Sequence, residues 1–476
     1  MTSIRKSILI VFTEKYLTLL INFIGLMLIA RLLTPVEIGI YSVASAVTGV
    51  AQILRDFGVG NYLIQEKELT RLKIRTALTV MMLTSWTAGA ILYFSRYYVA
   101  NFYHEPAIAD LIEIQCINFL LIPFSAPIYT LLNRDMQFSV LFRVNLMSTI
   151  TQLVISLSLA VSGYGYLSLA WASVASMACS TLMVNANRPK DAWLLPGIKE
   201  WRYIVKFGTQ SSLASIITQI AMNLNDLVLG RLLGFQVVAI YSRAQGQMYL
   251  FHRDVMEAVR KIVFPVFAKA VREDQDLLKA YLQSVNYVTV FAWPFYAFLG
   301  LYAQPIMRLM FGDQWDAAVP LVKILVFAGA IAALWSLASN ALMATGHINK
   351  ILRSELIVQS FRIVLICYAA SVSIEMICYS VIIIYAFNLI ITLKYLKQVI
   401  GLKLSQLLLS NLNSLVVSVI SMVIPVLCFI YVPNVIDSTH LLIVSSIGCV
   451  FGWLVGIFLT QHPLRNEMMR LVRNNK

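Results

Sequence analysis

The sequence predicts an all-α integral membrane protein of about fourteen transmembrane helices: two parallel six-helix repeats and two added C-terminal helices. Three observations predict it: composition, the alternation of loop charge, and an internal repeat. Of 476 residues, 59% are apolar and 13% are charged, where soluble domains carry about a quarter charged residues. Mean hydropathy is +0.77. This excludes a soluble enzyme, a disordered chain and a secreted disulfide scaffold. A transmembrane β-barrel is excluded too, because its strands are short and alternating, whereas these apolar runs are long and unbroken.

A spanning helix needs roughly 20 mostly apolar residues. Runs bounded by charges or turn residues occur at 8–30, 37–54, 76–95, 108–132, 144–162, 166–187, 207–230, 236–252, 281–303, 318–345, 354–373, 376–393, 405–432 and 441–461. The first run continues through Glu14 and Lys15 and has no small-residue cleavage site. It therefore reads as a retained helix and not as a signal peptide. All six cysteines lie in apolar runs and none forms a C-x-x-C pair. They read as small apolar residues of helices.

Loop charge orients these spans. With the N-terminus inside, the inward loops hold 29 Lys and Arg, and the outward loops hold only Arg31, Arg96, Arg231 and Arg308. Such a bias is the positive-inside rule at work, and it puts both termini in the cytoplasm. It also disposes of nucleic acid as the partner behind the net charge of +14, because the cations sit in short alternating loops and not in one patch.

The internal repeat organises the chain. Residues 30–44 read ARLLTPVEIGIYSVA and residues 230–244 read GRLLGFQVVAIYSRA, identical at seven of fifteen positions. The offset spans six helices, an even number, so both copies enter the membrane in the same direction and the repeats are parallel. The predicted divisions are a first six-helix lobe over 1–200, a second over 201–400, and two further helices with a basic cytoplasmic tail over 401–476.

Polar residues recur at helical spacing within several spans, which places each row on one face. Such rows hold Glu14 and Asn22 in the first span, Gln52 in the second, Gln219, Asn223 and Asp226 in the seventh, and Gln359 and Arg362 in the eleventh. Asn22, Gln52, Gln219, Asn223 and Gln359 are candidates for a polar lumen. The plain alternative is polar glue between packed helices. Ionisable residues inside a membrane are costly and mark functional sites more often. Arg243, Arg362, Lys15 and Lys323 are candidates for binding an anionic cargo, and Asp226 and Glu14 for coupling to a driving ion, H+ or Na+. Arg243 stands out because its repeat partner is Val43. Four cations against two anions suit an anionic cargo over a cationic drug. Arg243 paired with Asp226 would instead be a staple between the seventh and eighth spans.

Other chemistries lack their residues. The sequence has no G-x-x-x-x-G-K-[ST] phosphate loop. Its five histidines are scattered, so no metal or other cofactor is expected. No spacing pairs a nucleophile with a base, so the chain does not read as an enzyme. A membrane glycosyl polymerase would need an outer domain larger than the longest outward loop, about 304–317.

Two stretches carry a family resemblance. ARLLTPVEIGIYSVA with LRDFGVGNYLIQE (54–66), and LMFGDQWDAAVPLVKIL (309–325), resemble the Wzx-type polysaccharide flippases. These belong to the polysaccharide transporter branch of the multidrug/oligosaccharidyl-lipid/polysaccharide exporter superfamily. The motifs are A-R-x-L-x-P-x-x-x-G-x-Y and F-G-x-x-W-x-x-A-x-P, and the resemblance covers most of spans one to twelve. It implies a MATE-like two-lobe fold in the bacterial inner membrane. It also implies translocation of undecaprenyl-pyrophosphate-linked oligosaccharide for polysaccharide, lipopolysaccharide or exopolysaccharide synthesis, by ion-coupled alternating access. A polysaccharide polymerase and chain-length machinery are the implied partners, beside the lipid-linked substrate and membrane lipids. A drug antiporter of the same superfamily is the alternative.

Overall fold

The computed structural model describes residues 2–56, 59–66, 69–189, 196–197, 201, 223–431 and 438–474. These residues divide into two compact units, Met1–Ala239 and Ile240–Lys476. Ten helical stretches among the described residues are long and apolar enough to cross a membrane. The apolar run 207–230, with Gln219, lies largely outside the described residues.

The first unit contains α1 (Thr2–Leu32), α2 (Pro35–Asp56), α3 (Val59–Gln65), α4 (Arg71–Tyr103), α5 (Ala107–Leu121), α6 (Ala126–Arg134), α7 (Phe138–Val161), α8 (Leu167–Ala186) and α9 (223–232). It ends within α10 (Phe235–Tyr249). The first sequence motif is a helix start. Thr34 caps α2: its Oγ1 accepts from the Glu37 N–H at 3.3 Å, and the Glu37 carboxylate accepts from the Thr34 N–H at 2.8 Å. Pro35 stands first in the helix, where a missing N–H costs nothing. The motif glycine is a packing contact, since a Cβ at Gly39 would run into the Phe235 carbonyl.

Within this unit α4, α5 and α8 form a packed row, α2 lies against α4 and α5, and α7 packs between α1 and α8. Ser85 Oγ donates to the Phe119 carbonyl at 2.6 Å, tying α4 to α5. The sequence expectation of a continuous span over 108–132 is corrected here. A 3-10 turn, Ile122–Phe124, separates α5 from α6, because Pro123 has no N–H to continue the helix.

The second unit continues with a π-helical turn (Leu250–Val255), α11 (Met256–Arg272), α12 (Leu277–Leu301), α13 (Ala303–Phe311), a 3-10 turn (Asp313–Ala318), α14 (Val319–Ala333) and α15 (Ala338–Ala344). Then follow α16 (Ile348–Ala370), α17 (Ile374–Ile400), α18 (Leu404–Ser410), α19 (Leu412–Tyr431), α20 (Ser438–Leu459) and α21 (Pro463–Asn474). The segment 253–279, read as a loop from its charges, is mostly α11. The run 318–345 is broken at 334–337 and the run 405–432 at Asn411. Here α14 packs between α12 and α17, and α16 lies against α17.

The C-terminal helices are fastened to α12 by polar contacts. Thr289 Oγ1 donates to Asn411 Oδ1 at 2.6 Å, Trp453 Nε1 to the Val290 carbonyl at 2.8 Å, and Tyr302 to the Pro425 carbonyl at 2.7 Å. A dry contact of Val290, Val417 and Ile457 lies among them. In hydrocarbon the apolar effect does not hold helices together, so such bonds and close packing carry the association.

Candidate functional site

Two irregular stretches of the second unit meet around Arg362. The π-helical turn Leu250–Val255 begins directly after Tyr249. α14 stops at Ala333, and the chain passes through tight turns before α15. In those turns the Leu334 N–H donates to the Ile331 carbonyl at 3.1 Å and the Trp335 N–H to the Ala332 carbonyl at 3.2 Å. Nearby carbonyls gain side-chain partners. Tyr281 donates to Leu334 at 3.4 Å, Trp293 Nε1 to Ala330 at 3.1 Å, and the His252 ring lies 2.9 Å from the Gly329 carbonyl. Broken helices at membrane depth are tolerated where they are buried in protein or line a cavity.

Arg362, on α16, is half-buried, and its electrostatic neighbours are the phenol groups of Tyr249, Tyr385 and Tyr241. Tyr385 lies against Trp335, with ring centroids 5.8 Å apart. Arg362 has no carboxylate partner among the described residues, and its Nε is buried without a hydrogen-bond acceptor. Trp335 Nε1 and Gln359 Oε1 are likewise buried without partners. Gln359 stands one turn before Arg362, and its amide donates to Glu355 at 3.2 Å. The region is therefore a cation in an aromatic frame with donors and an acceptor to spare.

Arg243 lies elsewhere on the same scaffold. Its guanidinium stands over Phe311 at 5.4 Å and over Trp315 at 5.2 Å, and no carboxylate pairs with it among the described residues. Gln247, one turn on, donates to Met310 Sδ at 3.4 Å on the same face of α10. Tyr241, Gln245 and Tyr249 recur at i, i+4 and i+8 on the other face, and Gln245 donates to the Tyr241 hydroxyl at 3.0 Å. The spacing of 3.6 residues per turn thus parts Arg243 from the Tyr241–Tyr249 face that borders Arg362. Arg243 lies on one face of α10, and the tyrosines that neighbour Arg362 of α16 lie on the other.

The second sequence motif builds the aromatic box for Arg243. Gly312 takes φ +96°, a conformation that suits glycine, and turns the chain between Phe311 and Trp315. Trp315 is fully buried. Arg308 pairs with Asp316 through two parallel bonds, Nε to Oδ1 at 2.9 Å and Nη2 to Oδ2 at 2.5 Å, across that turn.

In the first unit the Glu14 carboxylate accepts from Asn145 Nδ2 at 2.5 Å, and the same amide is 3.0 Å from the Tyr129 hydroxyl. Thr18 Oγ1 and Ser148 Oγ are buried nearby in sequence on α1 and α7, without partners. Lys15 is half-buried beside Glu14, Asn223 and Asp226 are half-buried on α9, and Asn22 and Gln52 are exposed. Lys323 is exposed on α14, on the face that carries Phe327, and does not join Arg243 or Arg362. Among the described residues no group of three His, Cys, Asp or Glu could hold a metal ion.

Comparison with known proteins gives this fold its family. Residues 28–320 match the family described as polysaccharide biosynthesis protein. The chain belongs to that family. It is 22% identical to the teichuronic acid biosynthesis protein TuaB of Bacillus subtilis (strain 168) over 344 residues, 69% of this chain and 68% of that one. It is 22% identical to the lipopolysaccharide biosynthesis protein WzxC of Escherichia coli (strain K12), over 69% of this chain and 67% of that one. Among solved structures it shares the fold of the lipid II flippase MurJ in an inward closed conformation, with TM-score 0.75, 15% identity, and coverage of 96% and 99% of the two chains. An inward-facing multidrug resistance MATE family transporter of the MOP superfamily matches with TM-score 0.66, 14% identity, and coverage of 81% and 94%. The protein is therefore a multi-pass membrane protein with the fold of flippases and transporters.

Sequence reasoning found Arg243 and Arg362 as intramembrane charges. It missed the aromatics around them, Tyr385 and Tyr249 beside Arg362, and Phe311 and Trp315 beside Arg243. The F-G-x-x-W motif held a signal for two of them, because paired aromatics at a turn are a natural seat for a buried cation.

Proposed function

We propose that this protein moves a pyrophosphate-linked, lipid-anchored oligosaccharide from the cytoplasmic to the outer leaflet of the bacterial inner membrane, for the synthesis of a surface polysaccharide. Family membership and the flippase fold support the reading. The observation that carries it is Arg362, a half-buried guanidinium with no carboxylate partner among the described residues and an unsatisfied Nε. Arg pairs bidentately with phosphate oxygens, and an ionisable side chain inside a membrane marks a substrate or ion path. Arg362 takes the pyrophosphate in this reading. Arg243 reaches a phosphate only when its box of Phe311 and Trp315 opens. Lys15 assists near the cytoplasmic side, and Lys323 plays an outlying part.

Asp226 and Glu14 are the coupling residues, exchanging a proton or sodium ion as the site alternates its access. Glu14 has oxygen-bearing neighbours in Tyr129 and Asn145 for this purpose. The full chain then has fourteen spans in two parallel repeats, 1–200 and 201–400, with 401–476 added, and both termini in the cytoplasm. Asn22, Gln52, Gln219, Asn223 and Gln359 line the polar path. A polysaccharide polymerase and chain-length regulator receive the product outside.

Deleting the gene tests the reading. Surface polysaccharide should disappear while tolerance of cationic drugs stays normal, and complementation should restore the polymer. Normal polymer with raised drug sensitivity would point to a drug antiporter instead.

A further inference from the structure

Arg243 stands on α10, but the two rings over it belong to another stretch of chain. Phe311 is the last residue of α13, and Trp315 lies within the 3-10 turn Asp313–Ala318. Gly312 separates them at φ +96°, a backbone shape that other residues rarely adopt. The turn is weakly closed from within: the Trp315 N–H meets the Gly312 carbonyl at 3.4 Å, long for a hydrogen bond. A stronger tie lies at its surface. Arg308 and Asp316 pair bidentately across the turn, Nε to Oδ1 at 2.9 Å and Nη2 to Oδ2 at 2.5 Å, with side chains 52% and 36% exposed. A pair that water reaches biases a conformation without fixing it, because solvent and salt compete for both ions. Beneath the rings, polar groups are unpaired. Arg243 Nε and Gln247 Oε1 are buried without partners, and the Gln247 amide donates to Met310 Sδ at 3.4 Å. A thioether is a weak acceptor. Unpaired buried groups cost stability, so the closed arrangement forgoes hydrogen bonds that water would restore on opening.

We infer that residues 311–318 form a lid over Arg243, hinged at Gly312 and strapped shut by the Arg308–Asp316 pair. The purpose of the lid rests on the flippase reading, to which it adds the regulation of Arg243. While the pair is intact, Phe311 and Trp315 lie over the guanidinium, and an anion is kept from its fork. When the pair parts, Trp315 swings about Gly312 and the fork meets water or a phosphate. Trp315 is fully buried, so the open form is a minor population, and the strap sets how minor. An exposed ion pair shifts such a balance by up to about fivefold.

The test treats the purified full-length protein with hydroxyphenylglyoxal, which adds to arginine side chains. Modification of Arg243 is followed by peptide mass spectrometry, with exposed Arg272 as the internal reference. Wild-type Arg243 should react more slowly than Arg272. Asp316→Asn should speed Arg243 about fivefold and leave Arg272 unchanged. The charge swap, Arg308→Asp with Asp316→Arg, should bring Arg243 back to within about twofold of wild type. High salt should speed Arg243 in wild type but not in Asp316→Asn, because salt screens an exposed pair. A pair that only stabilised the fold would instead speed buried Arg55 of the first unit as well. The lid is wrong if wild-type Arg243 reacts as fast as Arg272, if Asp316→Asn leaves Arg243 at the wild-type rate, if Arg55 accelerates equally, or if the swap stays as fast as Asp316→Asn. These rates involve no cargo, so they judge the lid alone, and the gene deletion judges the flippase reading.

Discussion

Each unit carries a long apolar run that stops and restarts, and the two breaks differ in what they leave open. In the first unit the break is written by Pro123. Its polar groups are closed locally: Asn185 Nδ2 donates to the Phe124 carbonyl at 2.9 Å, and Ser125 Oγ donates to the Ile122 carbonyl at 3.2 Å. The Phe124 ring leans on Trp86 at 6.5 Å. In the second unit the break at 334–337 contains no proline. Its backbone is served by Tyr281, but Trp335 Nε1 is left without a partner and Arg362 stands beyond Tyr385. The same contrast holds between the repeat positions. Val43 is a fully buried apolar residue, whereas Arg243 is a cation between two rings. Buried polar groups are costly unless paired. One break thus closes its polar groups locally, and the other leaves Trp335 Nε1 unpaired.

Three changes would break or sharpen this comparison. The largest effect should come from Arg362. Arg362→Ala is expected to lower polysaccharide export by at least about tenfold at normal membrane levels, because a charge-assisted bond is removed. Arg362→Lys should recover only part of it, since the charge remains and the planar fork is lost. Export is read from surface polymer in the complemented deletion strain, and full activity of Arg362→Ala would make both breaks equally structural.

The next effect should come from Arg243. Its cation–π contacts are worth about 1–2 kcal/mol in a desolvated setting. Arg243→Met, which keeps length without charge, should lower thermal stability by about that amount and reduce export less than Arg362→Ala does. Equal loss of export in both variants, with the Arg243 variant stable, would return the cargo site to Arg243.

The smallest effect concerns the C-terminal helices and pH. His462 is fully buried, where its ring meets Ser414 Oγ at 3.1 Å and accepts from the Leu464 N–H at 3.2 Å. Burial pushes its pKa down to about 4, against about 6.5 in an unfolded chain. The unfolded state therefore binds the proton more readily. Stability from this group is complete above about pH 6.5 and is lost as pH falls toward 4. The melting temperature in detergent should drop between pH 7 and pH 5 by more in wild type than in His462→Gln. Identical pH profiles would remove His462 from the account.

The all-α, multi-span membrane class was legible in the sequence because membrane helices announce themselves by length and apolarity. The start of α2 was equally open to reading, since Thr34, Pro35 and Glu37 stand at cap, first and third positions. The breaks were less so. Pro123 gives one away, but nothing in LVFAGAIAALWSLASNALMA marks the turn at 334–337 as apolarity sees it. α11 was hidden because its cations, Arg260, Lys261, Lys269 and Arg272, resemble those of a loop. Arg243 and Arg362 were visible as charges in apolar runs, yet their phases differ. Helical spacing sets Arg243 against the face of Tyr241 and Tyr249, and only the packed structure shows which face meets Arg362. Trp335 and Tyr385 could not be singled out among 8 Trp and 22 Tyr, because their ring contact depends on how α17 packs against the break at 334–337.

The central claim is that a pyrophosphate-linked lipid crosses the membrane by way of Arg362. The most direct measurement reconstitutes the full-length protein in liposomes with a fluorescent undecaprenyl-pyrophosphoryl sugar and follows its loss from the outer leaflet by dithionite quenching. Wild type should move the lipid between leaflets, and Arg362→Ala in the same vesicles at the same protein density should fall to the rate of empty liposomes. Transport by the Arg362→Ala protein at the wild-type rate would contradict the account.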